Sequence, residues 1–170
     1  MASHFIPESN LLEYVLLDAP GHLLRRCHQL AVDLYTEEVG EDGPTPPQFA
    51  LLLTVLQNPG LSQVDLVRHT GIDRSTVAEM VARLIKRGLL DRNRTVADRR
   101  TNALGVTEAG EAVLQRALPM VLKAQERTLA PLNDDDREEL MRLLRLLSAV
   151  NAPAKPQLGA TLPEAQIANK

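Results

Sequence analysis

The spacing of hydrophobic residues predicts a chain made mostly of α-helices, with one short β-hairpin near residue 100. Apolar positions recur three and four residues apart, the period of one helix face, over about residues 22–39, 107–129 and 133–150. Residues 48–56 are apolar almost all round, so this helix is expected to lie deep in the fold. Pro119 falls within the 107–129 pattern and is expected to kink that helix or divide it.

Two short helices are predicted on either side of Gly71. The first begins at Ser62, which is placed to form a capping box with Asp65, and ends at Gly71, because glycine adopts the left-handed conformation easily. The second begins after Asp73 and is closed by Gly88. A tight turn with a glycine between two helices is the arrangement that carries the second helix into the major groove of DNA, although a plain helical hairpin has the same apolar spacing.

The second of these helices carries, on its outward face, polar side chains that can reach base edges and phosphates. They are Arg74, Ser75, Thr76, Glu79 and Arg83. The two hydroxyl residues and Arg83 are the best candidates for base contacts, and Arg74 is equally suited to a phosphate. Ser62 and His69 flank this helix and are candidates for phosphate contacts, or else serve as a helix cap and a surface residue.

A hairpin rich in arginine follows the two helices. Leu89-Leu90 starts one strand, residues 103–106 form the other, and the loop between them is polar. Its arginines are Arg92, Arg94, Arg99 and Arg100. Such a loop cannot bury four guanidinium groups, and an arginine at its tip can enter the narrow, electronegative minor groove of DNA. The alternative is a solvated basic loop without a partner.

The end of this loop resembles the wing signature of the MarR family, the multiple-antibiotic-resistance type of bacterial regulator. The family pattern of Asp-any-Arg, a short strand and Leu-Thr-any-any-Gly is matched by Asp98-Arg99-Arg100, Leu104, Thr107 and Gly110. Gly105-Val106 departs from it, since a bulkier residue and Leu usually precede that Thr. The resemblance spans roughly residues 11–150. It implies a mostly α fold with a small β-hairpin wing, in which a winged helix-turn-helix is joined to a helical dimerisation region.

Breaks in the pattern divide the chain into five segments. An N-terminal arm and short helix occupy residues 1–21, and helices of the dimerisation and core region occupy 22–57. The DNA-binding lobe occupies 58–106, and the C-terminal dimerisation helices occupy 107–150. The tail, 151–170, is rich in Pro and Ala and is expected to be disordered.

The composition favours a cytoplasmic protein. The chain has 170 residues, enough for one substantial core, and its single cysteine excludes an intrachain disulfide and suits a reducing compartment. No apolar run is long enough to span a bilayer, and the first ten residues lack the features of a signal peptide.

Charge is distributed unevenly. The whole chain carries −3, but from Gly60 to Gly105 nine basic and five acidic residues give +4, which leaves −7 for the remainder. A basic patch on an acidic body is an electrostatic footprint of DNA binding.

The first and last long helices carry more apolar surface than a small domain can cover internally. Leucine-rich faces at both ends, in a chain with only 2% aromatic residues, suit a helical dimer interface, and the resemblance implies that the terminal helices of two subunits interlock. The alternative is that both faces pack internally. A two-fold dimer would place two reading helices in successive major grooves about 34–36 Å apart, so the expected target is a pseudo-palindrome in double-stranded DNA.

The resemblance also suggests roles within the wing. Arg100 would contact the minor groove, and Asp98 would hold the wing by a salt bridge, unless it only caps the turn. Arg94 and Arg99 are further candidates for contacts with DNA.

The resemblance further implies a small-molecule effector, since family members commonly release DNA when an aromatic acid or phenol binds between the dimerisation helices and the winged domain. A coenzyme A thioester is a third candidate class. The first long helix offers His22, Arg26, Cys27 and His28 as ligand-binding residues. Arg26 lies at the edge of the leucine stripe, where a cation beside apolar surface suits an aromatic carboxylate. Alternatively, Arg25 and Arg26 pair with acids across the dimer, and the histidines are surface groups.

Cys27 raises two other hypotheses. One branch of the family senses organic peroxides through a cysteine near this helix, but alignment of the Tyr35 region places Gly21 at that position, and Cys27 is expected to pack inertly in the core. An enzyme using Cys27 with His28 or His22 is not expected, because neighbours on a helix diverge by about 100°. The scattered histidines lack the spacing of a metal site, and no cofactor is expected.

These observations predict a dimeric DNA-binding transcriptional regulator, a repressor released from its operator by a small aromatic or phenolic ligand. The alternatives are a winged-helix protein-interaction module without ligand sensing, against which the basic segment argues, and a thiol redox-sensing regulator acting through Cys27.

Overall fold

The computed structural model describes residues 14–93 and 103–149, which form six α-helices and one two-stranded sheet. A short 3₁₀ helix, Leu16–Asp18, precedes them. In chain order the elements are α1 (Pro20–Val39), α2 (Pro46–Gln57), α3 (Gln63–Thr70), α4 (Arg74–Lys86), β1 (Leu90–Asn93), β2 (Ala103–Val106), α5 (Glu108–Leu129) and α6 (Asp134–Ala149). The mostly helical fold with a small hairpin confirms the predicted fold class.

The helix ends follow local capping chemistry. Proline occupies the first turn of α1 and of α2, where its missing N–H is no loss, so both helices begin two residues earlier than their apolar patterns do. Thr45 and Gln48 form a capping box at the start of α2. At α6, Oδ1 of Asn133 accepts a hydrogen bond from the backbone N–H of Asp136 at 2.9 Å and so caps the helix.

The sequence predicted a kink or a division of the helix at Pro119, and division is wrong, because α5 runs through Pro119 without interruption. Proline removes the hydrogen bond that would reach the carbonyl of Gln115, four residues earlier. Both residues are exposed, so water can satisfy that carbonyl and the helix continues.

The core lies where α2, α4, α5 and the hairpin meet. Helix α2 supplies Leu51, Leu52 and Val55, all buried, as its apolar surface predicts. The fully buried or nearly buried residues packed around them include Leu66, Val77, Val81, Leu84, Leu90, Leu104, Leu114 and Val121. Because α3, α4 and the hairpin all rest on this core, their outward surfaces are held in a fixed relation to one another.

Helix α1 is joined to α5 by an ion-pair cluster at its C-terminal end. The carboxylate of Glu38 receives the ammonium group of Lys123 at 2.9 Å and the guanidinium group of Arg127. Arg127 also reaches Glu37 at 3.1 Å. Nearby, the hydroxyl of buried Tyr35 donates a hydrogen bond to the carbonyl oxygen of Pro44 at 2.9 Å, which anchors the loop between α1 and α2.

The apolar faces at the two ends of the chain do not pack internally. Tyr35 is the only buried residue of α1, and in the described part of the chain none of α6 is buried. Exposed hydrophobic residues on the 3₁₀ helix, α1 and α6 include Leu16, Leu17, Leu23, Leu24, Leu30, Leu143, Leu144, Leu146 and Leu147. Within the described residues, the alternative in which both faces are covered by the same chain is therefore wrong. Within the described residues, no helix is both long and apolar enough to cross a membrane.

Candidate nucleic-acid interface

The pair of short helices has the caps that its sequence predicts. Ser62 Oγ accepts the backbone N–H of Asp65 at 3.3 Å, and the Asp65 carboxylate accepts the Ser62 N–H at 3.1 Å and hydroxyl at 2.6 Å. The hydrogen bonds from Ser62 hold the pKa of Asp65 below its usual value. Gly71 adopts the left-handed conformation, with φ of 69°, and turns the chain from α3 towards α4.

Ser62 is thus engaged in capping α3. Its hydroxyl hydrogen goes to Asp65 and its oxygen accepts the Asp65 N–H, so the capping alternative describes this structure. A phosphate contact by Ser62 or by half-buried His69 stays a prediction.

Helix α4 has one buried and one exposed side. Val77, Met80, Val81 and Leu84 are buried against the core. The outward residues are exposed as expected, and these are Arg74, Ser75, Thr76, Glu79 and Arg83. The burial of one face leaves the polar face free to enter a groove.

The start of α4 is fixed by Asp73. Oδ1 of Asp73 accepts the backbone N–H of Thr76 at 3.0 Å and the hydroxyl of Ser75 at 2.5 Å. These hydrogen bonds hold the pKa of Asp73 well below its usual range. The bond from the Ser75 side chain is the largest cause. The carboxylate is therefore ionised at neutral pH.

Arg83 and Glu79 form an ion pair one turn apart on the exposed side of α4, with a nitrogen–oxygen distance of 3.2 Å. The two side chains are 64% and 73% exposed. A pair so open to water contributes little to stability, so the Arg83 guanidinium can exchange Glu79 for a base or a phosphate at small cost.

The hairpin packs directly against this helix pair. Its strands are antiparallel, with Leu90 opposite Val106 and Arg92 opposite Leu104. Leu90 and Leu104 are buried and Arg92 is exposed. The remaining wing candidates Arg94, Asp98, Arg99 and Arg100 lie outside the described residues.

The base of the hairpin is tied to both neighbouring helices. Leu104 N–H donates to the carbonyl oxygen of Leu61, just before α3, at 3.2 Å. Thr107 N–H donates to the carbonyl oxygen of Leu89 at 3.2 Å, and the Thr107 hydroxyl donates to Gly88 at 2.6 Å. Thr107 is part of the family pattern seen in the sequence, but its bond to Gly88 could not be predicted, because the partner is 19 residues away.

The candidate ligand-binding residues lie on the N-terminal half of α1. His22 is half-buried, and Arg26, Cys27 and His28 are exposed. The expectation that Cys27 packs in the core of its own chain is wrong, because Cys27 is exposed within the described part of the chain. His22 and Arg26, four residues apart, share one side of the helix. Among residues 14–93 and 103–149, no group of three or more His, Cys, Asp or Glu side chains is placed to hold a metal ion.

Comparison with known proteins gives a consistent result. The MarR family profile matches residues 42–101. The transcriptional regulator HosA of Escherichia coli is 33% identical over 124 residues, which cover 73% of this chain and 90% of HosA.

Two solved structures share the fold along most of the chain. The PcaV transcriptional regulator of Streptomyces coelicolor, in complex with its natural ligand, is 37% identical, with a TM-score of 0.73 over 80% of this chain and 96% of PcaV. BpsR of Bordetella bronchiseptica, whose DNA binding is regulated by 6-hydroxynicotinic acid, is 32% identical, with a TM-score of 0.75 over 79% of this chain and 96% of BpsR. On these similarities and on its winged helix-turn-helix architecture, the chain belongs to the MarR family of transcriptional regulators.

Proposed function

We propose that the protein is a homodimeric repressor that binds a pseudo-palindromic operator and leaves it when a small aromatic ligand binds. The observation that carries the proposal is the exposed polar face of α4, which the core holds rigidly against the base of a hairpin. In this arrangement α4 occupies the major groove and the wing arginines approach the adjacent minor groove. The net charge of +4 between Gly60 and Gly105 supports attraction of this lobe to the phosphate backbone.

The outward residues of α4 divide into two roles under this proposal. Ser75, Thr76 and Arg83 contact bases, with Glu79 beside Arg83 as a further candidate. Arg74, at the first position of the helix, is placed for a phosphate. Among the wing residues, Arg100 enters the minor groove, Arg94 and Arg99 bind phosphates, and Asp98 braces the loop.

A homodimer is proposed from the exposed apolar faces of α1 and α6. Leu23 and Leu30 on α1, and Leu143 and Leu147 on α6, are spaced at whole turns of a helix and remain open to solvent in the single chain. A second copy would bury both faces, because a two-fold interface presents the same surface twice. The expected spacing of the two α4 helices, about 34–36 Å, matches one turn of DNA.

An aromatic acid or phenol is the proposed effector class, with a coenzyme A thioester as a larger member. The support is the cation Arg26 beside exposed leucines on α1, together with His22 one turn earlier. A guanidinium group binds a carboxylate through two parallel hydrogen bonds, and the leucines provide apolar contact for a ring. Two similar proteins also have small-molecule ligands: 6-hydroxynicotinic acid regulates DNA binding by BpsR, and PcaV was solved with its natural ligand. Both support an effector for this protein.

The test is a fluorescence titration of a labelled duplex from the protein's own upstream region, with an unrelated duplex of equal length as competitor. Wild type should bind the upstream duplex about 10³-fold or more tightly than the competitor. Arg83→Ala should weaken the specific complex, whereas Arg116→Ala, at an exposed arginine of α5, should not. Equal affinity for both duplexes would favour the protein-interaction alternative.

The effector is tested by adding aromatic acids, phenols and their coenzyme A thioesters to the specific complex. At least one should release the DNA, and Arg26→Ala should raise the concentration needed. Arg116→Ala again serves as the control. Release that is identical in wild type and Arg26→Ala would remove Arg26 from the ligand site.

A further inference from the structure

The hydroxyl of Ser75 has a fixed partner at the tip of α4. It lies 2.5 Å from Oδ1 of Asp73, and the same oxygen receives the backbone N–H of Thr76 at 3.0 Å. Asp73 is two residues before Ser75 and caps the helix. The contact is therefore part of the cap and is present before any DNA arrives.

The hydrogen in this contact belongs to Ser75. Hydrogen bonds from Ser75 and Thr76 keep the pKa of Asp73 well below its usual range, so at neutral pH the carboxylate is ionised and has no hydrogen to donate. Ser75 must donate. A serine hydroxyl has one hydrogen and two lone pairs, so the side that Ser75 turns to solvent can only accept.

This polarity excludes most of the groups that DNA presents. Phosphate oxygens, guanine O6 and N7, thymine O4 and adenine N7 are acceptors and offer Ser75 no hydrogen. The donors in the major groove are the exocyclic amino groups, cytosine N4 and adenine N6. Glu79, one turn further along the same side of α4, also has only acceptors when ionised.

We propose, on the basis of the DNA reading proposed above, that Ser75 determines part of the operator specificity by accepting a hydrogen bond from an exocyclic amino group of a base. Asp73 is the positioning residue that imposes this polarity. The pair thus converts a hydroxyl group, which could otherwise read donors or acceptors, into a selective reader of cytosine or adenine.

The experiment begins with selection of duplexes from a random pool by wild type and by Ser75→Ala. The base pair at which the two preferences differ is the one that Ser75 reads. Its identity does not show which atom is read, because every base pair carries one amino group, on cytosine or on adenine, in the major groove. The amino group is then removed at that position, with 2-pyrimidinone in place of cytosine or purine in place of adenine.

For wild type, removal of the amino group should weaken binding about 2- to 13-fold, the value of one hydrogen bond. For Ser75→Ala the same change in the DNA should have little effect beyond the weaker pairing of the modified base, which is common to both proteins. Comparison of the four affinities isolates the contact. An unchanged selected sequence for Ser75→Ala, or equal losses in both proteins, would overturn the inference.

Asp73→Gly tests the positioning role with little loss of helix stability, because glycine is well tolerated at the first capping position of a helix. Glycine has no side chain to accept the Ser75 hydrogen, so the hydroxyl is free to turn that hydrogen outward. The ratio of affinities for the selected duplex and its amino-less form should then fall towards one. The lost negative charge raises affinity for both duplexes alike, so the ratio is unaffected by it, and a thermal melt checks that the variant is folded.

The outcomes separate this inference from the proposed function. If wild type enriches no sequence, the proposed operator binding fails and the inference fails with it. If wild type enriches a sequence but removal of the amino group costs wild type and Ser75→Ala equally, or Asp73→Gly retains the full wild-type ratio, the inference alone is overturned.

Discussion

The hydroxyl of Thr107 donates a hydrogen bond to the carbonyl oxygen of Gly88 at 2.6 Å, which ties the start of α5 to the end of α4. The hydroxyl oxygen of Thr107 also accepts the N–H of Gly110 at 3.1 Å and so caps α5. Gly110 itself lies against Leu89, with no room for a side chain. This joint sets the direction of α5, a candidate dimerisation helix, relative to the helix proposed to read DNA. A movement of α5 can therefore be transmitted directly to α4.

Gly110→Ala should destabilise the protein by about 1–3 kcal/mol, although alanine normally favours a helix. An added Cβ would overlap the carbonyl oxygen of Leu89 and lie 2.8 Å from Val106 Cγ1, so the backbone must shift. Gly21→Ala is the matched control, because nothing lies within 4 Å of a Cβ at that helical position. It should be neutral or stabilise by up to about 1 kcal/mol. Urea unfolding at one protein concentration measures both, and equal effects would contradict the packing at Gly110.

Glu38→Gln should destabilise the protein more than Glu37→Gln does, although both carboxylates contact Arg127. The Glu38 side chain is only 11% exposed, against 63% for Glu37, and also pairs with Lys123. Loss of the Glu38 charge would remove an anionic partner from both Lys123 and Arg127.

The Glu38 effect should depend on pH in a defined direction. Hydrogen bonds from Lys123, and then from Arg127, lower the pKa of Glu38 from its ordinary 4.5. Its contribution is therefore present above pH 4.5 and is lost as the pH falls through the lowered folded value. The difference in unfolding free energy between wild type and Glu38→Gln should be largest at neutral pH and shrink in acid. A difference that stays constant down to pH 3 would contradict this ion pairing.

Leu147→Asp should weaken self-association. Leu147 lies on the exposed apolar face of α6, and a carboxylate there would lose its hydration in an interface. Val64→Asp is the control, because Val64 is a comparably exposed apolar residue on α3, away from α1 and α6. Sedimentation equilibrium should show a shift towards monomer for Leu147→Asp alone. The same oligomeric state for both variants would exclude α6 from the interface.

Arg100→Ala should weaken operator binding and reduce the slope of log affinity against log salt concentration by about 0.9, the contribution of one phosphate charge. Arg100→Lys is the matched control, since it keeps the charge but loses the planar guanidinium group that suits the minor groove. It should weaken binding without changing the slope. An unaltered affinity for Arg100→Ala would remove the wing assignment.

Features set by neighbouring residues could be predicted from the sequence. The caps at Ser62, Asp73, Thr107 and Asn133 were all predictable, because each depends on a side chain and a backbone N–H three residues apart. The left-handed turn at Gly71 is equally local. The buried face of α4 followed from periodicity alone, and with it the exposure of the candidate DNA contacts.

Features that depend on distant partners could not be predicted. Cys27 lies on an apolar stripe, but no described residue buries the stripe at that position, so the residue is exposed. Gly110 matched the family pattern, but the physical reason for a glycine there, its contact with Leu89, could not be predicted from the sequence. Likewise, nothing in the sequence indicated that the Ser75 hydroxyl is held by Asp73, since serine two residues after an N-cap has several rotamers available.

The central claim is that two copies of α4 read successive turns of one duplex. The most direct measurement is the stoichiometry and footprint of the protein on a duplex selected from a random pool. The account predicts two chains per duplex and two protected half-sites centred about 10 base pairs apart, one on each side of a pseudo-dyad. A single chain on the DNA, or protection without a repeated half-site, would contradict it.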